Sequence, residues 1–154
     1  LDDARLEAHL FGFDRISTTR TRGFLQDMQE NKCFFCQSEL NGGTDVDHFI
    51  PWARYPNNCL ENLVLAHRKC NAAKKHHLAS QRHLENWLLR FQNADLRGNF
   101  IDAAREMSWE CRHDNSLSIG RSIYLNTPTQ TPLWESGKNF SFADKYHLAR
   151  VFLA

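Results

Sequence analysis

No apolar run in this 154-residue chain approaches the roughly 20 residues that a membrane-crossing helix needs, so a membrane-spanning role is not expected. A secretion signal is missing too: Leu1 to Arg5 carry two acids and no apolar centre. Charge of one sign is not in excess. The formal net charge is +1, so total charge does not point to nucleic acid in the way a strongly basic chain would. There are no repeats, no low-complexity tract and no linker long enough to divide the chain. The expectation is one domain, 1–154, with a single core. The first residue is Leu1 and not Met, which reads as a processed product or a piece of a longer protein.

What is present is local. Between His67 and Arg90 lie Arg68, Lys69, Lys74, Lys75, Arg82 and Arg90 against one acid, Glu85, with four histidines in the same stretch. Such a run forms either a solvated helix face or a phosphate-binding one. Five cysteines occur, Cys33, Cys36, Cys59, Cys70 and Cys111. An odd number without a secretion signal argues against a disulfide framework and for metal binding in a reducing, cytoplasmic setting.

Hydrophobic spacing divides the chain coarsely. Residues 1–30 read as helical, with Leu6/Leu10 and Phe24/Met28 at i, i+4, and with Phe11-Gly12-Phe13 and Ile16-Ser17-Thr18 separating two helices. Asn41-Gly42-Gly43 ends a turn-rich stretch that begins at Cys33. Val46 to Ile50 reads as a short strand stopped by Pro51, Ala53 to Glu61 as a loop, and Leu63 to Ala66 as a second strand. A helix is expected from near Asn71 to Phe91, because Leu84, Trp87, Leu88 and Phe91 follow i, i+3, i+4, i+7. Arg97-Gly98-Asn99 is read as its break, Phe100 to Met107 as a helix, Gly120 to Leu125 as a strand, and Phe142 to Leu153 as a closing helix. The motif-bearing core spans about 33–91, between helical flanks at 1–30 and 92–154.

Cys33-x-x-Cys36 alone is ambiguous between a zinc half-site and a redox dithiol. A redox pair opens a helix after a strand, whereas Gln37 to Gly43 leads into a Gly-rich turn. His67-x-x-Cys70 supplies a second half-site. Together these residues form a closed Cys3His set, suited to a structural Zn²⁺. Cys59 is the rival fourth ligand, and Cys111 reads as a small buried apolar residue.

Between and after these half-sites run Asp45-Val46-Asp47-His48-Phe49-Ile50-Pro51, then Glu61-Asn62-Leu63-Val64-Leu65, then Cys70-Asn71-Ala72-Ala73-Lys74-Lys75. In this order, and together with Cys33-x-x-Cys36, they resemble the HNH (ββα-metal, His-Me finger) endonuclease family. The likeness covers Cys33 to about Lys75, with His67 standing where a second C-x-x-C would have cysteine. It implies an α+β fold: a small ββα-metal core of two short antiparallel strands and a helix, stabilised by the zinc and flanked by mainly helical segments. It implies hydrolysis of phosphodiester bonds to 5′-phosphate and 3′-hydroxyl ends, with His48 as base and Asp47 and Asn71 holding a catalytic Mg²⁺ or Mn²⁺. Asn62 would brace the loop that carries His48, and Arg68, Lys74 and Lys75 would contact nucleic acid. The residue types suit those roles: imidazole titrates near neutral pH, and carboxylate and amide oxygens are ligands for hard cations.

Some choices stay open at this level. His76 is a minor rival metal ligand, five residues beyond Asn71 and out of phase with it on a helix. Trp52, with Arg54 and Tyr55, either stacks on or steers nucleic acid, or Trp52 packs under its own loop. His83 is expected at a helix surface or core edge, and Asn139-Phe140-Ser141 reads as a chance sequon. DNA is the expected partner, with RNA as the alternative. The company such domains keep points to the nuclease module of a larger prokaryotic defence or restriction effector. A non-catalytic zinc-bearing nucleic-acid-binding module is the competing function; it would not need Asp47, His48 and Asn71 together. A redox dithiol protein is a third reading, and it predicts no zinc.

Overall fold

The computed structural model describes residues 15–153. Helix α1 (Arg15–Met28) leads through a turn-rich stretch to β1 (Thr44–His48); a single 3-10 turn (Leu60–Asn62) opens β2 (Leu63–His67), and α2 (Arg68–Lys74) follows directly. The chain continues through α3 (Gln81–Gln92), α4 (Ala94–Met107) and α5 (His113–Leu125). A hairpin of β3 (Pro132–Ser136) and β4 (Asn139–Phe142) follows, and then α6 (Lys145–Leu153). No helix among the described residues is long and apolar enough to cross a membrane.

Strands β1 and β2 pair antiparallel, from Thr44 opposite His67 to His48 opposite Leu63. Side chains alternate between the faces of a strand, and the two faces of this pair are covered differently. Val46, Leu63 and Leu65 join Leu25, Leu60 and Phe100 in one apolar cluster, beneath α1 and α4. Val64 and Ala66 join a larger cluster with Phe34, Phe49, Leu84 and Trp87. Burial on both faces explains why β2 is an unbroken apolar run. The expected α+β architecture, two short antiparallel strands and a helix with helical flanks, is the one observed.

Helix α3 forms for the expected reason. Leu84, Trp87 and Leu88 are fully buried along one stripe, with Trp87 stacked on Phe49 at 4.9 Å. The expected single helix from Asn71 to Phe91 is, however, two. Lys75 adopts a positive φ of 52° and ends α2. The following segment is held extended against β3, with Trp134 N–H donating to the Leu78 carbonyl at 2.8 Å and Ser80 N–H to the Trp134 carbonyl at 2.8 Å. This long-range pairing is invisible to local periodicity.

Four further expectations are corrected. Arg97-Gly98-Asn99 lies inside α4; the break comes earlier at Asn93, whose side chain caps the new helix by accepting from Leu96 N–H at 2.9 Å. Gly120 to Leu125 is helical, and Gly120 is there for close approach: a Cβ would sit 3.0 Å from the Trp87 ring. Ile16 to Thr18 belongs to α1 and separates nothing, whereas Leu6, Leu10 and Phe11-Gly12-Phe13 lie outside the described residues. Phe142 ends β4, so the closing helix starts at Lys145. The β3–β4 hairpin was not anticipated. Its Trp134 is buried between Phe35 and His83, with ring centroids at 5.2 and 5.5 Å, which places His83 in the core.

Candidate active site and metal centre

The C-x-x-C turn and the β2–α2 junction bring Cys33, Cys36, His67 and Cys70 together, with their ligand atoms all within 4.8 Å of one another. His67 Nδ1 lies 3.3 Å from Cys36 Sγ, near the roughly 3.5 Å that tetrahedral zinc–sulfur and zinc–nitrogen bonds impose. Its other nitrogen, Nε2, is 2.9 Å from the Glu39 carbonyl, the kind of partner that orients a metal-bound imidazole. The His67 N–H donates to Cys33 Sγ at 3.4 Å. Burial raises the Cys36 thiol, but hydrogen bonds from the Ser38 backbone and side chain and from Cys33 and His67 outweigh it and bring it to about 7. Burial and the neighbouring Cys33 and Cys36 push Cys70 up to about 12. Thiolates this close repel one another, and a zinc ion held among them would supply the opposing charge. The donor set and spacing therefore fit a structural zinc. Cys59, the rival ligand, is buried and lies outside this cluster.

Next to this centre, α2 lies over the strand face bearing Asp45 and Asp47. Asn71 and Asp47 are each more than nine-tenths buried, and Lys74 is fully buried. Lys74 Nζ donates to Asp47 Oδ2 and to the His48 carbonyl, both at 3.2 Å. The ammonium expected to contact phosphate is thus enclosed and held by the strand. The expected basic face thins further at Arg90, which is buried and donates to the Glu61 and Leu63 carbonyls. Arg68 and Lys75 are exposed. Arg68 Nε reaches Asp45 Oδ1 at 3.3 Å.

Asn71 Nδ2 donates to Asp45 Oδ2 at 3.1 Å. The Asn71 partner is therefore Asp45, a residue to which the motif reading assigned no role. Tying down the amide nitrogen leaves the amide oxygen as the atom available to a cation, the orientation a metal ligand needs. Asp47 Oδ1 accepts the His48 N–H at 2.8 Å. With Lys74 on Oδ2, each carboxylate oxygen holds one hydrogen bond and keeps a lone pair. Asp47 and Asn71 thus each present the kind of oxygen that could hold a hard cation such as Mg²⁺.

His48 closes β1, and its ring turns to the inter-strand loop. Nε2 lies 3.0 Å from Asn58 Oδ1, and the ring centroid is 5.3 Å from that of Trp52. An amide oxygen only accepts, so this contact suits the tautomer that carries its proton on Nε2. Nδ1 is buried and has no hydrogen-bond partner. Burial lowers the His48 pKa below its ordinary 6.5 and Lys74 adds to this, while Asn58, Asp47 and the Asn57 backbone oppose it. Asn62 braces the same segment: its side chain accepts from Ile50 N–H at 2.9 Å and donates to the Ile50 carbonyl at 3.0 Å. Asn58 had no sequence signal beyond lying in a turn. Asp45 could have been found, because period two puts it on the same face as Asp47. His76 is exposed, just past the end of α2.

No curated protein matches the chain. Residues 33–80, about a third of the chain, match the family model described as HNH endonuclease. That stretch runs from the first zinc-type cysteine to the end of the segment beyond α2. The match and the ligand cluster thus fall on one piece of structure: residues 33–80 are similar to the HNH endonuclease family, and the Cys33, Cys36, His67 and Cys70 cluster fits its zinc-binding C-x-x-C type.

Proposed function

We propose that this protein is a metal-dependent endonuclease that hydrolyses phosphodiester bonds of DNA, with His48 as general base. The observation that carries the reading is the His48 ring: its Nε2 is committed to Asn58, and its bare Nδ1 stands unpartnered beside a strand carrying Asp47. A neutral imidazole with one free lone pair is the state in which histidine takes a proton from water.

In this reading Asp47 and Asn71 hold Mg²⁺ or Mn²⁺, which when bound supplies Lewis-acid stabilisation of the phosphate and of the departing 3′ oxygen. His48 Nδ1 accepts the proton of the attacking water. Asn58 retains the Nε2 proton and fixes the ring's direction. Lys74 holds Asp47 and the His48 backbone in register, and Asp45 keeps the Asn71 amide oxygen turned outward. Asn62 secures Ile50, two residues beyond the base. The exposed cations Arg68 and Lys75 meet the DNA backbone, and Trp52, half-buried beside His48, borders the same site. The proposal extends to a larger prokaryotic defence or restriction effector as the setting.

A plasmid-nicking assay with Mg²⁺, Mn²⁺ or EDTA, comparing wild type with His48→Ala, tests it. An RNA substrate of matched length is run in parallel. Metal-dependent nicking of DNA that His48→Ala loses is the expected result. Cleavage of RNA alone would overturn the substrate, and equal cleavage by His48→Ala would overturn the base. Absence of cleavage on both substrates, with DNA still retained, would favour the zinc-bearing binding module.

A further inference from the structure

Outside the region just described, Glu61, Cys111 and His113 bring one carboxylate oxygen, one sulfur and one imidazole nitrogen within 4.8 Å of one another. We propose that these three residues form a second binding site for a zinc-class divalent ion, distinct from the Cys33–Cys70 centre. Glu61 comes from the 3-10 turn before β2, and the other two from the junction of α4 and α5.

Glu61 is fully buried. Its Oε1 is satisfied, accepting Arg112 N–H at 2.9 Å and the Ser116 hydroxyl at 2.6 Å. Its Oε2 is buried and has no hydrogen-bond partner. Among the described residues no cationic side chain forms an ion pair with this carboxylate. Arg90, the nearest candidate in kind, spends its guanidinium on the Glu61 and Leu63 backbone carbonyls. The Cys111 thiol leans on this carboxylate and the Arg90 charge acts on it from nearby, but neither closes an ion pair with the buried Oε2, and a bound cation would complete the charge balance.

The other two donors are spaced for the same ion. Cys111 Sγ lies 3.1 Å from His113 Nδ1, close to the 3.3 Å between Cys36 Sγ and His67 Nδ1 in the first centre. One thiolate, one imidazole and one carboxylate are a borderline set that suits Zn²⁺ better than Mg²⁺ or Ca²⁺. A cavity lined by Arg97, Ile101, Arg112, Asp114 and Asn115 opens on two of the three, Cys111 and His113. It offers an entry path and room for water as the fourth ligand. A nucleophilic cysteine is the competing use of such a trio, but burial pushes the Cys111 thiol up to about 12, the reverse of an activated thiolate.

The ion would tie the α4–α5 junction, which lies beyond the family match, to the turn carrying Asn62. The two segments already share a backbone bond, Leu60 N–H to the Glu110 carbonyl at 2.8 Å. The inference does not depend on nuclease activity.

Zinc counting tests it. The full chain is equilibrated with Zn²⁺ and desalted, and metal per chain is measured for wild type, Cys111→Ser and Cys33→Ser. About two ions per chain are expected in wild type and about one in Cys111→Ser. Zinc X-ray absorption on wild type alone gives a reading that does not depend on any variant folding. Three sulfurs at the first centre and one at the second average to about two per zinc, against about three if only the first centre fills. About one zinc per chain in wild type overturns the site. So does a count of two that survives Cys111→Ser, since that ion would lie elsewhere on the surface.

Discussion

Lys74 decides between two ways in which a lysine can serve a nuclease site. If it grips phosphate, its removal weakens DNA binding; if it holds the site together, its removal weakens the fold. Its side chain is 1% exposed and that of its partner Asp47 is 9% exposed. Breaking a buried pair by removing one partner costs about 3–5 kcal/mol. Asp47 retains the His48 N–H on its other oxygen, which favours the lower figure of about 3 kcal/mol. In a chain of this length that corresponds to a Tm fall of roughly 6–12 °C. Lys74→Met removes the charge and keeps the stem, and it isolates this effect from a packing loss. DNA affinity is then measured against salt in a His48→Ala background, so that cleavage does not intervene. Each phosphate contact contributes about 0.9 to the slope of log affinity against log salt. The expected outcome is an unchanged slope for Lys74→Met, and a slope shallower by about 0.9 for Lys75→Met, whose side chain is exposed. A shallower slope for Lys74→Met with an unmoved Tm would refute the positioning role.

Burial holds the His48 pKa below 6.5, so the acidic limb of kcat/KM is expected below pH 6.5; a limb centred above that value would contradict the assignment. His83 is depressed for the same reason. As pH falls below about 6.5 the unfolded chain takes up protons that the folded chain refuses. The corresponding stability is therefore present above that pH and lost below it, visible as a lower urea midpoint at pH 5.5 than at pH 7.5. Cys33→Ser is expected to release the structural zinc and lower the Tm, with a metal count and a melt as the readouts, and an unshifted Tm would remove the zinc from the folding argument. Asn62→Ala leaves both polar groups of the buried Ile50 backbone unpaired, at about 1–3 kcal/mol each, so a loss of about 2–6 kcal/mol is expected on denaturant unfolding. Asp45→Ala frees the Asn71 amide to turn and is expected to raise the Mg²⁺ concentration for half-maximal nicking. Asp45→Asn, which still offers an acceptor to Asn71 Nδ2, should restore it.

The parts of the fold legible in the sequence were those written in short-range chemistry. The alternation and apolar content of residues 44–67 specified two strands, and Pro51 together with the Asn-rich loop separated them. The stripe through Leu84, Trp87 and Leu88 specified a helix face. The failures share one physical cause, which is that tertiary contacts overrode local pattern. Leu78 to Ser80 lies between two helices, yet it is extended because Trp134, more than fifty residues away, pairs with its backbone. Gly120 to Leu125 reads as a strand but is helical, and the missing side chain of Gly120 leaves the room that the Trp87 ring takes. Cys111 reads as an inert thiol, and only the fold brings Glu61 and His113 to it.

The candidate site was legible in its residue types more than in its pairings. Asp47 and Asn71 were read as partners because the family likeness joins them, while the strand itself carries two carboxylates, at 45 and 47. Two residues along a strand advance about 6.7 Å and return to the same face. Three residues along a helix advance about 4.5 Å and also return near the same face. A helix laid across that face can therefore meet both carboxylates, one from each end of a single turn. Here Asn71 meets Asp45 and Lys74 meets Asp47. The register between strand and helix is set by the β2–α2 junction, where His67 and Cys70 are also the zinc-type ligands. Any slip of α2 by one residue would turn Asn71 and Lys74 off the face together. The cysteine–histidine cluster and the acid–amide–lysine set thus constrain the same degree of freedom, and this is the physical reason for finding them interleaved in so short a stretch of chain.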